Sequence, residues 1–234
     1  MLSLIDFNLS EATLEFRHPF ALRHWDRSGE VWSAMMEKYD ELKNVSAEPG
    51  KVVFRLDHRF QLITEVQSFT IVSHNPDRSL KVFTSVASEF YSIITKILEL
   101  KEFTRIGLRF TYRQDFPNRR EATEAILGTK LIRVPEGKYF GLKSDPLMAD
   151  YGIRWEENAR GFHFRLRVDS REYNFEPPFG WEGVPSEKVE KHSVACDCDF
   201  FTTTLTGVSQ FSLVDWIDQS LHMMNRDTSH FLGA

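Results

Sequence analysis

The chain has 234 residues, 41% of them apolar and 27% charged, with 20 phenylalanines; this is ample material for a core and excludes an intrinsically disordered protein. A net charge of −5 excludes a globally basic nucleic-acid binder, so contact with a phosphate backbone would need a local basic patch. No stretch approaches the roughly 20 apolar residues of a membrane helix, and the first 16 residues carry acids where a secretory leader would be basic and then apolar.

In chain order, residues 11–20 read as a strand, with Leu14 and Phe16 alternating with Glu15 and Arg17. A helix is expected over 28–42, with Ser28 as its N-cap and Val31, Trp32, Met35, Met36, Tyr39 and Leu42 on one face. The β-branched and aromatic content predicts strands at 51–57, 61–73 and 80–85, the last two separated by a turn at Asn75, Pro76 and Asp77. A second helix over 85–100 turns Phe90, Ile93, Ile94, Ile97 and Leu98 inward, and a strand over 103–112 follows.

Beyond it, a short helix over 119–127 ends at Gly128, a natural C′ residue. Strands are expected at 138–142, 152–156, 161–169 and 193–204, with a proline- and glycine-rich loop over 176–188. A closing helix begins at Ser212, which forms a capping-box pattern with Asp215 and buries Val214, Ile217, Leu221 and Met224. The expected fold is α+β: antiparallel sheets with long amphipathic helices, arranged as two similar lobes, 1–115 and 116–234, packed as one compact unit. No internal repeat is visible at the level of residues.

Residues 105–113 hold the densest chemistry. On a strand, Ile106, Leu108, Phe110 and Tyr112 face one side and Arg105, Arg109 and Arg113 the other. Residues 162–169 repeat the pattern, with His163, Arg165 and Arg167 opposite Phe162, Phe164, Leu166 and Val168. In one sheet these strands would present a strongly basic face of guanidinium forks suited to phosphates or carboxylates. The plainer alternative is a solvated sheet face whose arginines pair with acids on neighbouring strands, with Asp197 and Asp199 as partners.

On a strand Cys196 and Cys198 would point the same way but lie too far apart for an unstrained disulfide, and they lack the partners of a zinc site, so they are expected as core side chains in a reducing cytoplasm. Asp115, Glu136 and Lys138 match the bare residue set of a metal-dependent nuclease, although Pro135 and Gly137 favour a turn there. His222 is expected to pack or cap on the closing helix. Residues 175–181 (Phe-Glu-Pro-Pro-Phe-Gly-Trp) form an aromatic loop that either anchors a partner or covers a sheet edge. No phosphate loop, zinc-protease helix or nucleophile elbow is present, and neither a cofactor nor a metal is assigned.

Arg105, Gly107, Leu108, Arg109 and Phe110, then Asp197 and Asp199, then Leu221 and His222, occur in an order that resembles a sporadically distributed family of uncharacterised bacterial proteins. That family has an Arg-x-Gly-Leu-Arg-Tyr strand, a late Asp-x-Asp strand and a closing helix with Leu-His. Phe110 stands for its Tyr, and Tyr112 departs from its usual Asn. The resemblance implies no established activity; its patchy distribution is that of accessory, defence-associated components.

The expected function is a non-enzymatic binding or adaptor protein, self-associating or engaging a protein partner, with Arg105, Arg109, Arg113, Arg165 and Arg167 as its ligand-binding set. The alternatives are a nucleic-acid-binding component using the same face, with affinity falling steeply in salt, and a cryptic nuclease on Asp115, Glu136 and Lys138. A cytoplasmic location without a membrane partner is expected.

Overall fold

The computed structural model describes residues 2–129, 131–132, 146–175 and 187–232. β1 (Asn8–Arg17) turns Ala12, Leu14 and Phe16 to the core and Glu11, Thr13 and Glu15 away from it, the period-two pattern of a strand with one buried face. α1 spans Arg23–Met36. It starts earlier than the capping pattern at Ser28 predicts, because the Ser28 hydroxyl bonds back to the His24 carbonyl inside the helix. The chain then forms β2 (Leu42–Glu48), β3 (Lys51–Leu56), β4 (Phe60–Glu65) and β5 (Ser68–His74).

β4 and β5 replace the single strand expected over 61–73. Glu65 stands opposite Ser68 across a two-residue turn at Val66 and Gln67, and Ser68 Oγ donates to Glu65 Oε2 at 2.9 Å. The β-branched Val66 hides this turn from propensity alone. Residues 80–85 open α2 (Lys81–Ile97) instead of forming a strand, since Leu80, Phe83, Ala87 and Phe90 are buried at helical spacing.

The second run of elements begins with β6 (Glu102–Phe103), β7 (Arg105–Phe116) and α3 (Arg119–Leu127). Asn118 caps α3 through its side-chain oxygen, which accepts from the Glu121 N–H at 2.9 Å. Gly128 closes the helix at φ −68, without the left-handed turn that a C′ glycine supplies. β8 (Asp150–Glu157), β9 (Arg160–Phe175), β10 (Glu187–Thr202), β11 (Thr206–Gly207) and α4 (Leu213–Leu232) follow. The expected strand at 138–142 lies outside the described residues. On α4 the buried stripe includes Leu213, Trp216, Ile217, Ser220 and Met224; Val214, expected inside, is exposed.

Nine strands form one antiparallel sheet in the order β2-β3-β4-β5-β1-β7-β10-β9-β8. The runs β1-α1-β2-β3-β4-β5-α2 and β7-α3-β8-β9-β10-α4 share one plan among the described residues. In each, the opening strand lies beside the last strand of its own meander, and β1 and β7 pair with each other in the middle. All four helices feed a single core cluster on one face of the sheet. The other face carries the alternate side chains of every strand. Among the described residues, no helix is long and apolar enough to cross a membrane.

Candidate functional site

The five arginines picked out by sequence all project from the face opposite the helices, Arg105, Arg109 and Arg113 from β7 and Arg165 and Arg167 from β9. β10 lies between the two strands, with Asp197 and Asp199 on the same face. Arg109 grips Asp197 with both arms of its fork, Nε at 3.1 Å and Nη2 at 2.6 Å, while Thr111 Oγ1 donates to the same carboxylate at 2.7 Å. Arg167 approaches Asp197 at 3.8 Å. Arg105 bridges Glu15 on β1 at 2.7 Å and Asp199 at 2.9 Å, and Arg113 is paired with Asp169.

The face is therefore an internally neutralised lattice, where the strand pattern alone implied a strongly basic surface. The expected partners Asp197 and Asp199 are present; Glu15 and Asp169, brought in by register from β1 and β9, were not legible. Among the described residues Arg165 forms no ion pair, and it is exposed.

The lattice explains the Arg-x-Gly spacing. The Arg105 guanidinium lies flat across Gly107, where an added Cβ would come within 2.5 Å of Nη1. The glycine leaves the space in which the side chain lies down and reaches a carboxylate on each side. Gly161 does the same for the Phe201 ring, on which the guanidinium groups of Arg105 and Arg154 stack at 5.2 and 4.6 Å.

Asp197 has a side chain only 3% exposed. Burial alone would raise its carboxyl, but the hydrogen bonds from Arg109 and Thr111 outweigh this and hold it below the ordinary value. At Asp199 burial prevails over Arg105 and Arg109, and the carboxyl is pushed up.

Other sequence candidates separate in space. Cys196 and Cys198 are fully buried on β10, and the hydrogen bond between them, followed by burial, pushes the Cys196 thiol well up, which makes it an inert core side chain. Among the described residues no three His, Cys, Asp or Glu side chains gather closely enough to hold a metal. Asp115 is exposed at the end of β7, whereas Glu136, Lys138 and the aromatic stretch 176–181 lie outside the described residues. His222, expected to pack or cap, is exposed.

A cleft that local pattern did not reveal lies on the helix side, between α4 and the β8–β9 hairpin. Its volume is about 480 Å³ and its wall is built from Trp155, Phe162, Phe200, Trp216, Met223 and Phe231. Trp155 stacks on Phe162 at 5.6 Å and meets Phe231 edge-on at 5.5 Å; Phe162 contacts Phe200 at 4.5 Å. On α4, Trp216, Met223 and Phe231 recur at seven- and eight-residue spacing, which is the one sequence signal of this wall.

Trp216 is 8% exposed, and its indole N–H is buried without an acceptor among the described residues. A second, polar cleft of about 320 Å³ adjoins the first, lined by Thr202, Thr204, Thr206, Gln210 and Asp215, with Arg160 and Trp216 shared between the two. At the other end of the sheet a cleft of about 580 Å³ collects Lys43, Arg55, His58 and His74 together with Glu41 and Asp57, charges of both signs at an exposed rim. No protein-family model matches the chain, and no curated protein matches it.

Proposed function

We propose that the protein is a non-enzymatic binding protein whose ligand seat is the aromatic cleft between α4 and the β8–β9 hairpin. The observation that carries this reading is the contrast between two surfaces. The arginine row spends its hydrogen bonds on Asp197, Asp199, Glu15 and Asp169, while the cleft presents an open wall of aromatic rings. Its volume falls within the range of about 300–1,000 Å³ in which small-ligand pockets occur, and its aromatic lining is of the kind such pockets use. Trp155 itself is 39% exposed at the mouth, a position from which a flat ligand could stack on it.

Naphthalene, titrated against the intact chain and followed by tryptophan fluorescence and calorimetry, tests the seat. Saturable one-to-one binding is expected, weakened about tenfold by Trp155→Ala and unaltered by Trp25→Ala, whose ring is 57% exposed far from the cleft. Absence of saturable binding, or equal loss in both variants, would overturn the reading.

A second reading, nucleic-acid binding across the open sheet face, is favoured by Arg165 alone, the member of the row without a carboxylate. It predicts affinity for a short duplex that drops steeply with salt and is lost in Arg165→Glu. Salt-insensitive or absent binding removes it.

A further inference from the structure

The seat sits beside a cation, Arg160, whose cross-strand neighbour is Glu157. Arg160 opens β9 at the hairpin tip, is exposed, and donates to the neutral Gln219 side chain at 3.3 Å. It also lies over the Trp216 ring at 5.6 Å, and it forms no ion pair among the described residues. Its position is the shared wall between the aromatic and the polar cleft.

Resting on the ligand seat proposed above, we infer that the occupant is a small aromatic carboxylate, its ring against the wall of Trp155, Phe162 and Phe231 and its carboxylate at Arg160. The ring matches a wall of aromatic side chains. The carboxylate supplies acceptors to the Arg160 guanidinium, and its charge is met there without separating an ion pair of the described residues. The remaining charges at the rim set a limit. Asp227 is held by Arg226 at 2.6 and 2.7 Å, while Glu157 and Asp215 flank the two clefts, so a second negative charge on the ligand would be repelled. The site selects a monoanion.

Naphthalene-2-carboxylate, naphthalene and 2-naphthylmethylammonium share one ring and differ in charge, which makes them the probes of choice. The carboxylate is expected to bind about tenfold or more tighter than naphthalene, and the ammonium no tighter than naphthalene. Arg160→Gln, an exposed substitution whose fold is checked by circular dichroism, should erase the carboxylate's margin while naphthalene binds as before; Arg160→Lys should restore part of it. If all three probes bind alike, or if the margin survives Arg160→Gln, the anion assignment is overturned and the seat stands. If none binds, the seat itself is overturned, and the assignment with it.

Discussion

On β4, β5 and β1 the open face carries Ile63, Thr70, Val72 and Thr13; on β7, β10 and β9 the matching layer carries Arg109, Asp197, Asp199 and Arg165. Both regions follow the same strand, helix, meander, helix plan, and both bury their alternate positions under two helices. The first half mixes such β-branched side chains with a few ion pairs, Lys51 with Glu65 and Arg17 with Glu15, and lends Glu15 to the second half as a partner for Arg105. The second half finishes its outer layer with guanidinium and carboxylate groups that each need a partner. The plan is thus compatible with sparse or dense charge on this face, and the dense lattice, centred on the second half with Glu15 of β1 joined to it, is not imposed by the strand arrangement. Buried pairs of this kind roughly balance their desolvation cost while intact, yet leave an uncompensated charge when one member is removed.

The largest break in that comparison should come from Asp197→Ala, which strands Arg109, Arg167 and Thr111 together. A loss of about 2–3 kcal/mol is expected in urea unfolding, since Arg109, 44% exposed, regains water, against less than about 1 kcal/mol for Thr70→Ala on the first half. Equal losses would mean that the two layers carry the same load. Next is Gly107→Ala. The new Cβ evicts the Arg105 guanidinium and costs its bonds to Glu15 and Asp199, about 1–3 kcal/mol. In an Arg105→Ala background the same change should instead stabilise by about 0.5 kcal/mol, because nothing then occupies the space and Ala suits a strand better than Gly. A penalty that persists in the double variant would contradict the close-approach account.

Acid should act in two pH windows, one of histidines and one of carboxylates, to which both halves contribute: burial also lowers His163 of the second half, and the hydrogen bond from Lys51 lowers Glu65 of the first. His18 and His24 belong to the first half; burial holds both below their ordinary 6.5, and the Pro19 carbonyl and Thr64 oppose it only in part. Unfolding lets them take protons more readily, so their contribution is complete above pH 6.5 and falls away as the pH drops below it. Asp169 and Asp197 belong to the second half. Burial would raise both, yet Arg113 at one and Arg109 at the other hold them below 3.8, so their contribution is complete above that value and lost as the pH falls through their folded values. Stability measured from pH 8 to pH 2 should show two descents, the upper flattened by His24→Gln and the lower by Asp197→Asn. A single descent, altered by both variants, would undo the assignment.

The smallest effect concerns the hairpin turns. The first half places Gly50 at its left-handed position, φ 85, whereas the second half places Ala159 there at φ 67. Ala159→Gly should therefore stabilise by about 1 kcal/mol or less, a change in melting temperature of a few degrees. Destabilisation would show that the turn carries no strain at this residue.

Local pattern was sufficient wherever one residue's neighbours in sequence are also its neighbours in space. The α3 helix over Arg119–Leu127, the two faces of β7 and the burial of Cys196 and Cys198 could be anticipated because period and composition express them directly. The turn at Val66 and Gln67 and the early start of α1 escaped, since Val66 has strand propensity and Ser28 offers the same side-chain chemistry within a helix as at its start. Charges along one strand show that a face is basic, but whether it stays basic depends on register with strands about 90 residues away: Glu15 reaches Arg105 and Asp197 reaches Arg109 only once β1, β7 and β10 have aligned. The aromatic cleft depends on long-range placement still more strongly. Trp155 and Phe231 meet because α4 packs back over the β8–β9 hairpin, and no period within either segment encodes that meeting. Alternation and helical spacing are properties of a few consecutive residues, whereas the pairing of charges and the closure of a pocket are properties of which segments the core brings together.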